Sequence, residues 1–247
     1  MFYGMTQEQA QRFDGALRTI KEIYPRLFAA DMLIALAKNM GFLQDPAFAR
    51  AMGAEPRNEQ EKSLVWRLHV LCWCAENALR LPGDFVECGV YKGFSTSVVA
   101  RYLDFGKRDK HWYLYDTFNG IPPDDLNAGQ PDVESYRDPG LYESVVQRFA
   151  SYPNISVIRG RVPEVLIKDA PERIAFIHLD MNSARAEIGA LETLYARIVP
   201  GGFLVFDDYG WFAYRDQKTA EDRFFADKGV KVLELPTGQG LVIRPPG

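Results

Sequence analysis

The side chains able to do chemistry lie in a few short stretches. The first is Phe85 to Ser95, FVECGVYKGFS, where Gly89 and Gly93 stand three residues apart, Glu87 precedes them and Ser95 follows. A short apolar run leads in and a helical pattern leads out, so bare backbone and a helix start meet at a strand end. Ligands bind at such places in open α/β sheets. A diphosphate-binding turn reads G-x-G-x-x-G; the spacing here is wider, and the acid suits the cationic end of a ligand. Further on, Asp116, Asp180 and the pair Asp207-Asp208 each close an apolar run. Asp116 is placed to accept the hydroxyls of a ribose. Asp180, Asp207 and Asp208 would repel one another if gathered unpaired. A cation between them resolves this, and an all-oxygen donor set suits Mg²⁺.

The elements that must position these residues follow a repeat. Strands are expected at Phe85–Cys88, Trp112–Tyr115, Ile155–Ile158, Ala175–Leu179 and Phe203–Phe206. Helices are expected at Thr96–Leu103, Leu141–Ala150, Val162–Ile167 and Ala184–Val199. Such alternation builds a doubly wound parallel sheet with right-handed crossovers. The fourth strand then lies beside the first and the fifth beside the fourth, so Asp180, Asp207 and Asp208 gather next to the glycine turn. A helix at Asp216–Asp227 precedes Lys231–Leu235, the turn PTGQG and Leu241–Ile243, which read as a hairpin adding antiparallel strands. The fold class is therefore α/β, a doubly wound, mostly parallel seven-stranded sheet with a C-terminal antiparallel hairpin. Residues 1–82 are expected to form an N-terminal helical cap, with helices at Gln9–Tyr24, Leu27–Met40 and Glu59–Leu81, and residues 83–247 the ligand-binding domain. The cap offers a surface for self-association or for closing over a substrate. Residues 119–140 form a long stretch without regular pattern, which reads as a lid. Tyr209, Trp211, Phe212 and Tyr214 follow the acidic pair and can wall a substrate pocket, and PTGQG can approach the same place.

The pattern E-x-G-x-x-x-G-x-S resembles motif I of the class I S-adenosylmethionine-dependent methyltransferases, above all the metal-dependent O-methyltransferases. DTFNGIP from Asp116, LDMNSA from Leu179 and PGGFLVFDDYG from Pro200 are similar to the macrocin O-methyltransferase (TylF-like) family. The resemblance covers Asp84 to the C-terminus. It implies a Rossmann-like fold and S-adenosylmethionine as cofactor, bound by Glu87, Gly89, Gly93, Ser95 and Asp116, with Ser95 at the methionine carboxylate. It also implies Mg²⁺ on Asp180, Asp207 and Asp208, which are the expected catalytic residues, and a sugar hydroxyl of a natural product as acceptor. Asp180 is the expected proton acceptor. Family members commonly read LDxD where this chain reads LDMN, and Asn182 can coordinate through its carbonyl but cannot serve as a base.

Composition narrows the rivals. The chain has 247 residues, 47% hydrophobic, with net charge −4, a balance that argues against a nucleic-acid partner. No apolar run reaches the roughly 18–20 residues of a membrane span. The start MFYGMTQEQAQRF has no secretory pattern, and Cys72, Cys74 and Cys88 read as reduced core thiols, so a cytoplasmic location is expected. His69, His111 and His178 share no local metal-ligand spacing. A nicotinamide oxidoreductase is disfavoured by the missing G-x-G-x-x-G and by the terminal hairpin. A phenol or catechol acceptor, and a non-catalytic cofactor-binding relative, remain as alternatives.

Overall fold

The structure, a computed structural model, describes residues 2, 4–54, 58–127 and 133–246. It divides into two compact units, Met1–His69 and Val70–Gly247.

In the first unit, α1 spans Gln7–Ile23 and starts with a capping box, in which Thr6 and Gln9 each bond the other's backbone N–H. The helix expected over Leu27–Met40 is instead a β-hairpin, β1 (Leu27–Ala30) with β2 (Leu33–Leu36), paired from Leu27↔Leu36 to Ala30↔Leu33. Asp31 (φ 51°) and Met32 (φ 58°) form the two-residue connection. Positive φ at both central residues is the backbone of the tight hairpin turn whose twist matches its strands. Asp31 is fixed there by Arg67, whose Nε donates to its carboxylate at 2.8 Å. The run LFAADMLIAL is apolar throughout, so its periodicity could not separate helix from strand. Two capped helices follow, α2 (Pro46–Gly53) behind Asp45 and α3 (Glu59–Ser63) behind Asn58. The long helix expected over Glu59–Leu81 breaks at Leu64, where ψ is 14°, and resumes as α4 (Val65–Ala78).

The second unit holds the repeat: β3 (Asp84–Cys88), α5 (Phe94–Tyr102), β4 (Trp112–Asp116), α6 (Leu141–Phe149), β5 (Ile155–Arg159), α7 (Leu166–Asp169), β6 (Ile174–Leu179), α8 (Ala184–Leu194), β7 (Ile198–Phe206), α9 (Arg215–Ala226), β8 (Leu233–Glu234) and β9 (Gly240–Ile243). The strand order is β5-β4-β3-β6-β7-β9-β8. The five strands β3 to β7 run parallel, and β9 enters antiparallel to β7, as the hairpin reading requires. The order reverses between β3 and β6, which is where such sheets bind ligands. α8 stops short of its expected end because β7 begins at Ile198; a register shift against β6 absorbs Pro200-Gly201-Gly202. The core gathers on β3, β6 and β7, with Val86, Cys88, Ile177, Leu179, Leu204 and Phe206 at 1% exposure or less. β6 is buried along its whole length, and His178 is its one polar residue. Among the described residues, no helix is long and apolar enough to cross a membrane.

Candidate active site

The glycine turn is built for close approach. Gly89 has φ 88°, and a Cβ there would lie 1.9 Å from the carbonyl oxygen of Asp180, so only glycine lets the ends of β3 and β6 meet. Gly93 has φ 70°, and a Cβ would lie 2.8 Å from the ring of Phe149 on α6. Ser95 sits half-buried in the first turn of α5.

Asp116, at the end of β4, reaches back to this turn. Its Oδ2 accepts from the N–H groups of Val90 (2.7 Å) and Tyr91 (2.8 Å), and its Oδ1 from that of Phe118 (2.7 Å). The acid expected to take ribose hydroxyls thus braces the turn. A cleft of about 350 Å³ opens at the ends of β4 and β5, lined among others by Thr117, Gly120, Arg137, Gly160 and Arg161. Tyr91, Phe118 and Asn182, each just past a strand end, all have φ near +50°. Strained backbone of this kind clusters at ligand sites.

Glu87 does not face outward. It is 2% exposed; its Oε2 accepts from the Thr96 hydroxyl and its Oε1 lies 2.9 Å from Nδ1 of His178. Burial pushes its carboxyl up, and the His178 bond only partly offsets that. Burial pulls His178 down, but the carboxylates of Asp207 and Glu87 on either side of the ring outweigh it and lift the imidazole well above its ordinary range.

Of the acids expected to gather, the structure brings Asp180 and Asp207 together, and joins them to His178 rather than Asp208. One ligand atom from each of His178, Asp180 and Asp207 lies within 4.8 Å of the others. Asp208 is buried beside them in sequence, but its charge acts on Tyr136 and Glu221. His178 Nε2 makes no hydrogen bond although it is buried, and stands 3.5 Å from Asp207 Oδ1. An orphaned nitrogen facing two carboxylates fits a divalent cation. His178 was legible only as the residue two before Asp180, on the same face of one strand.

Supports complete the site. Gln239 Nε2 donates to Asp207 Oδ1 at 3.0 Å, and Thr237 Oγ1 donates to Gln239 at 3.0 Å, so the PTGQG turn does reach the carboxylates. Behind the turn after β6, Glu187 Oε1 accepts from Met181 N–H (3.3 Å) and from Gln217 (3.0 Å). Glu221 stands against Glu187. Burial pushes Glu187 well up and Glu221 to about 7, so the pair holds a proton at neutral pH.

The stretch expected as a lid, 119–140, is described at residues 119–127 and 133–140, where it holds two short 3-10 turns and fixed contacts; residues 128–132 lie outside the described part. Asp125 is gripped by Arg161 through two bonds (2.9 and 2.7 Å), and its carbonyl accepts from Ser183 at 2.6 Å. Asn127 Oδ1 accepts from Ala184 N–H at 3.0 Å, and its amide donates to the Asn182 carbonyl at 3.2 Å. Residues 119–127 thus form a pinned strap. Tyr136 packs on Tyr91 with centroids 5.0 Å apart; burial raises its phenol, and the charges of Asp180 and Asp208 raise it further. Of the expected aromatic wall, Tyr209 turns inward and is 3% exposed, donating to Asp222, while Phe212 is 84% exposed.

The macrocin-O-methyltransferase (TylF) family matches residues 44–233. The 8-demethyl-8-(2,3-dimethoxy-alpha-L-rhamnosyl)-tetracenomycin-C 4'-O-methyltransferase of Streptomyces olivaceus is 31% identical over 163 residues, 61% of this chain and 62% of the relative. The mycinamicin III 3''-O-methyltransferase of Micromonospora griseorubida is 29% identical over 161 residues, 58% of this chain and 62% of the relative. The chain thus matches about three fifths of the length of these relatives. The solved structure of the O-methyltransferase NovP shares the fold, with TM-score 0.63 and 22% identity over 81% of this chain and 88% of that one. The family match spans most of the chain and includes Gly89, Asp116, Asp180 and Asp207 at the ends of β3, β4, β6 and β7: this chain belongs to the macrocin O-methyltransferase (TylF) family.

Proposed function

We propose that the chain transfers a methyl group from S-adenosylmethionine to a hydroxyl of a small molecule, a sugar of a natural product, with the help of a divalent cation, Mg²⁺ in the family pattern. The observation that carries the reading is the convergence of Asp180 and Asp207 beside the Gly89 turn, at the switch point of the sheet. Family membership supports the cofactor, and the names of the relatives support the sugar. The buried free thiols Cys74 and Cys88 support a cytoplasmic enzyme.

The chain's residues divide the work. The turn at Gly89 and Gly93, braced by Asp116, offers the cofactor backbone at the start of α5. The cleft by Thr117 and Gly160 is open for its remaining length. Asp180 and Asp207 hold the cation. Once bound, a divalent ion orients an acceptor hydroxyl and stabilises the charge growing on its oxygen. With cofactor and acceptor bound, that oxygen would be placed to take the methyl group in line with the leaving sulfur, and Asp180 would take the hydroxyl proton. Positioning of this kind can remove about 7–11 kcal/mol of barrier. Tyr136, kept protonated beside Asp180 and Asp208, is able to donate a hydrogen bond to the bound acceptor.

The test is titration calorimetry with S-adenosylmethionine, followed by mass analysis of glycosylated acceptors incubated with cofactor and metal. Binding with a gain of one methyl group on a sugar hydroxyl is expected. Failure to bind either S-adenosylmethionine or S-adenosylhomocysteine would overturn the reading; binding without any methylated product would favour a non-catalytic relative.

A further inference from the structure

Resting on the cation reading above, we infer that His178 is itself a ligand of the cation, so that this site has a nitrogen donor and prefers a transition ion such as Co²⁺ or Mn²⁺ to Mg²⁺. The argument starts from cost. His178 is the one polar residue in a strand that is buried at every position. Its Nε2 is sealed from solvent and makes no hydrogen bond, which costs free energy unless something outside the protein meets it. That nitrogen is held toward Asp180 and Asp207, with one atom of each within 4.8 Å.

The other side of the ring has the arrangement a ligating histidine needs. Nδ1 lies 2.9 Å from Glu87 Oε1, and Glu87 is in turn fixed by the hydroxyl of Thr96. A carboxylate on the far nitrogen orients the ring and aims Nε2 at the two aspartates, as behind a ligating histidine. Asp207 has a support of the same kind in Gln239, which is wholly buried and itself held by Thr237. Glu87, read from the sequence as facing the ligand, thereby gains a different task as a positioning residue behind His178. The rival is a simple ion pair between His178 and Asp207, but their 3.5 Å separation comes without hydrogen-bond geometry.

Donor chemistry then sets the preference. Carboxylates alone suit Mg²⁺, whereas an imidazole nitrogen favours the later first-row ions in the order Mn²⁺ < Co²⁺.

The experiment uses the full chain, stripped with chelator and titrated calorimetrically with CoCl₂ or MgCl₂, and loaded with MnCl₂ for pulsed electron paramagnetic resonance. Wild type is expected to bind Co²⁺ at least about tenfold more tightly than Mg²⁺, and to show coupling of Mn²⁺ to an imidazole nitrogen. His178→Gln should lose the preference and the coupling, and Glu87→Gln should weaken Co²⁺ by roughly 10–100-fold. The wild-type spectrum decides even if a variant fails to fold. Binding with no nitrogen coupling would overturn this inference and leave the proposed function intact. No binding of any ion would overturn it together with the cation part of that proposal, while cofactor binding would still stand on its own.

Discussion

Asp207 accepts a hydrogen bond from Gln239 and faces the His178 ring 3.5 Å away. Asp207→Ala is expected to abolish methyl transfer while leaving S-adenosylmethionine binding nearly unchanged, since the turn at Gly89 is untouched; calorimetry beside a turnover assay would check this, and an active variant would remove Asp207 from the chemistry. Gly89 is under a harder constraint. A methyl group there meets the backbone of Asp180, which cannot swing aside as a side chain can, and the left-handed φ adds its own strain. Gly89→Ala should cost more than about 2 kcal/mol in urea denaturation; wild-type stability would show that the two strand ends can part. Asp116, Asp180 and Asp207 were legible because each closes an apolar run, and Gly89 because it follows one. Their partners were not. Glu87 reads as an outward acid until His178, far along the chain, is seen beside it. No local spacing announces a histidine whose partners come from neighbouring strands.

At the scale of elements, the strap and the hairpin carry most of what the sequence hid. The strap is held by Asp125, and its partner Arg161 remains about a third exposed, so the pair is screened in part. Asp125→Ala is expected to lose about 1–2 kcal/mol and to speed proteolytic cleavage between residues 119 and 140; an unchanged cleavage rate would mean that the strap is held elsewhere. Prolines, glycines and acids made that stretch look loose, because the groups that pin it, Arg161, Ser183 and Ala184, lie beyond it in sequence. In the first unit, Met32 occupies a left-handed position while nearly half exposed. Met32→Gly should stabilise the chain by about 0.5–1 kcal/mol, read as a raised melting temperature. A loss instead would show that the Met32 side chain outweighs its strain. Leucine, alanine and methionine serve helices well, and nothing in their order tells that Asp31 turns the chain back.

At the scale of the molecule, the alternation of strands and helices in the second unit was legible, because its five parallel strands leave five apolar runs. What it could not convey is the charge stored between α8 and α9. Folded Glu221 keeps its proton up to about 7, whereas the unfolded chain releases it near the ordinary 4.5. Between those values the unfolded state binds fewer protons, so stability falls as pH rises through that window and stays lowered above it. Asp208, Asp222 and Lys218 face the same carboxyl, and the two acids among them deepen the effect. Glu221→Gln is therefore expected to match wild type below about pH 4.5 and to gain roughly 1–3 kcal/mol at pH 8. Melting curves at the two pH values test it, and equal gains at both would show that the pair does not hold a proton.

The bond from Gln239 to Asp207 also has a consequence in time. Ribosomes make the chain from its N-terminus, and domains fold as their sequence emerges. β3, β6 and β7, with all the acids of the site, are therefore made before the residue that steadies Asp207. A stalled chain ending at Val230 has its carboxylates but lacks the brace and the two strands that complete the sheet. Such a chain is expected to capture no metal when released and tested, and capture at full strength would refute the idea. On the proposed function, unfinished copies would then consume no methyl donor, because the proposed cation site and the last strands of the sheet are completed together.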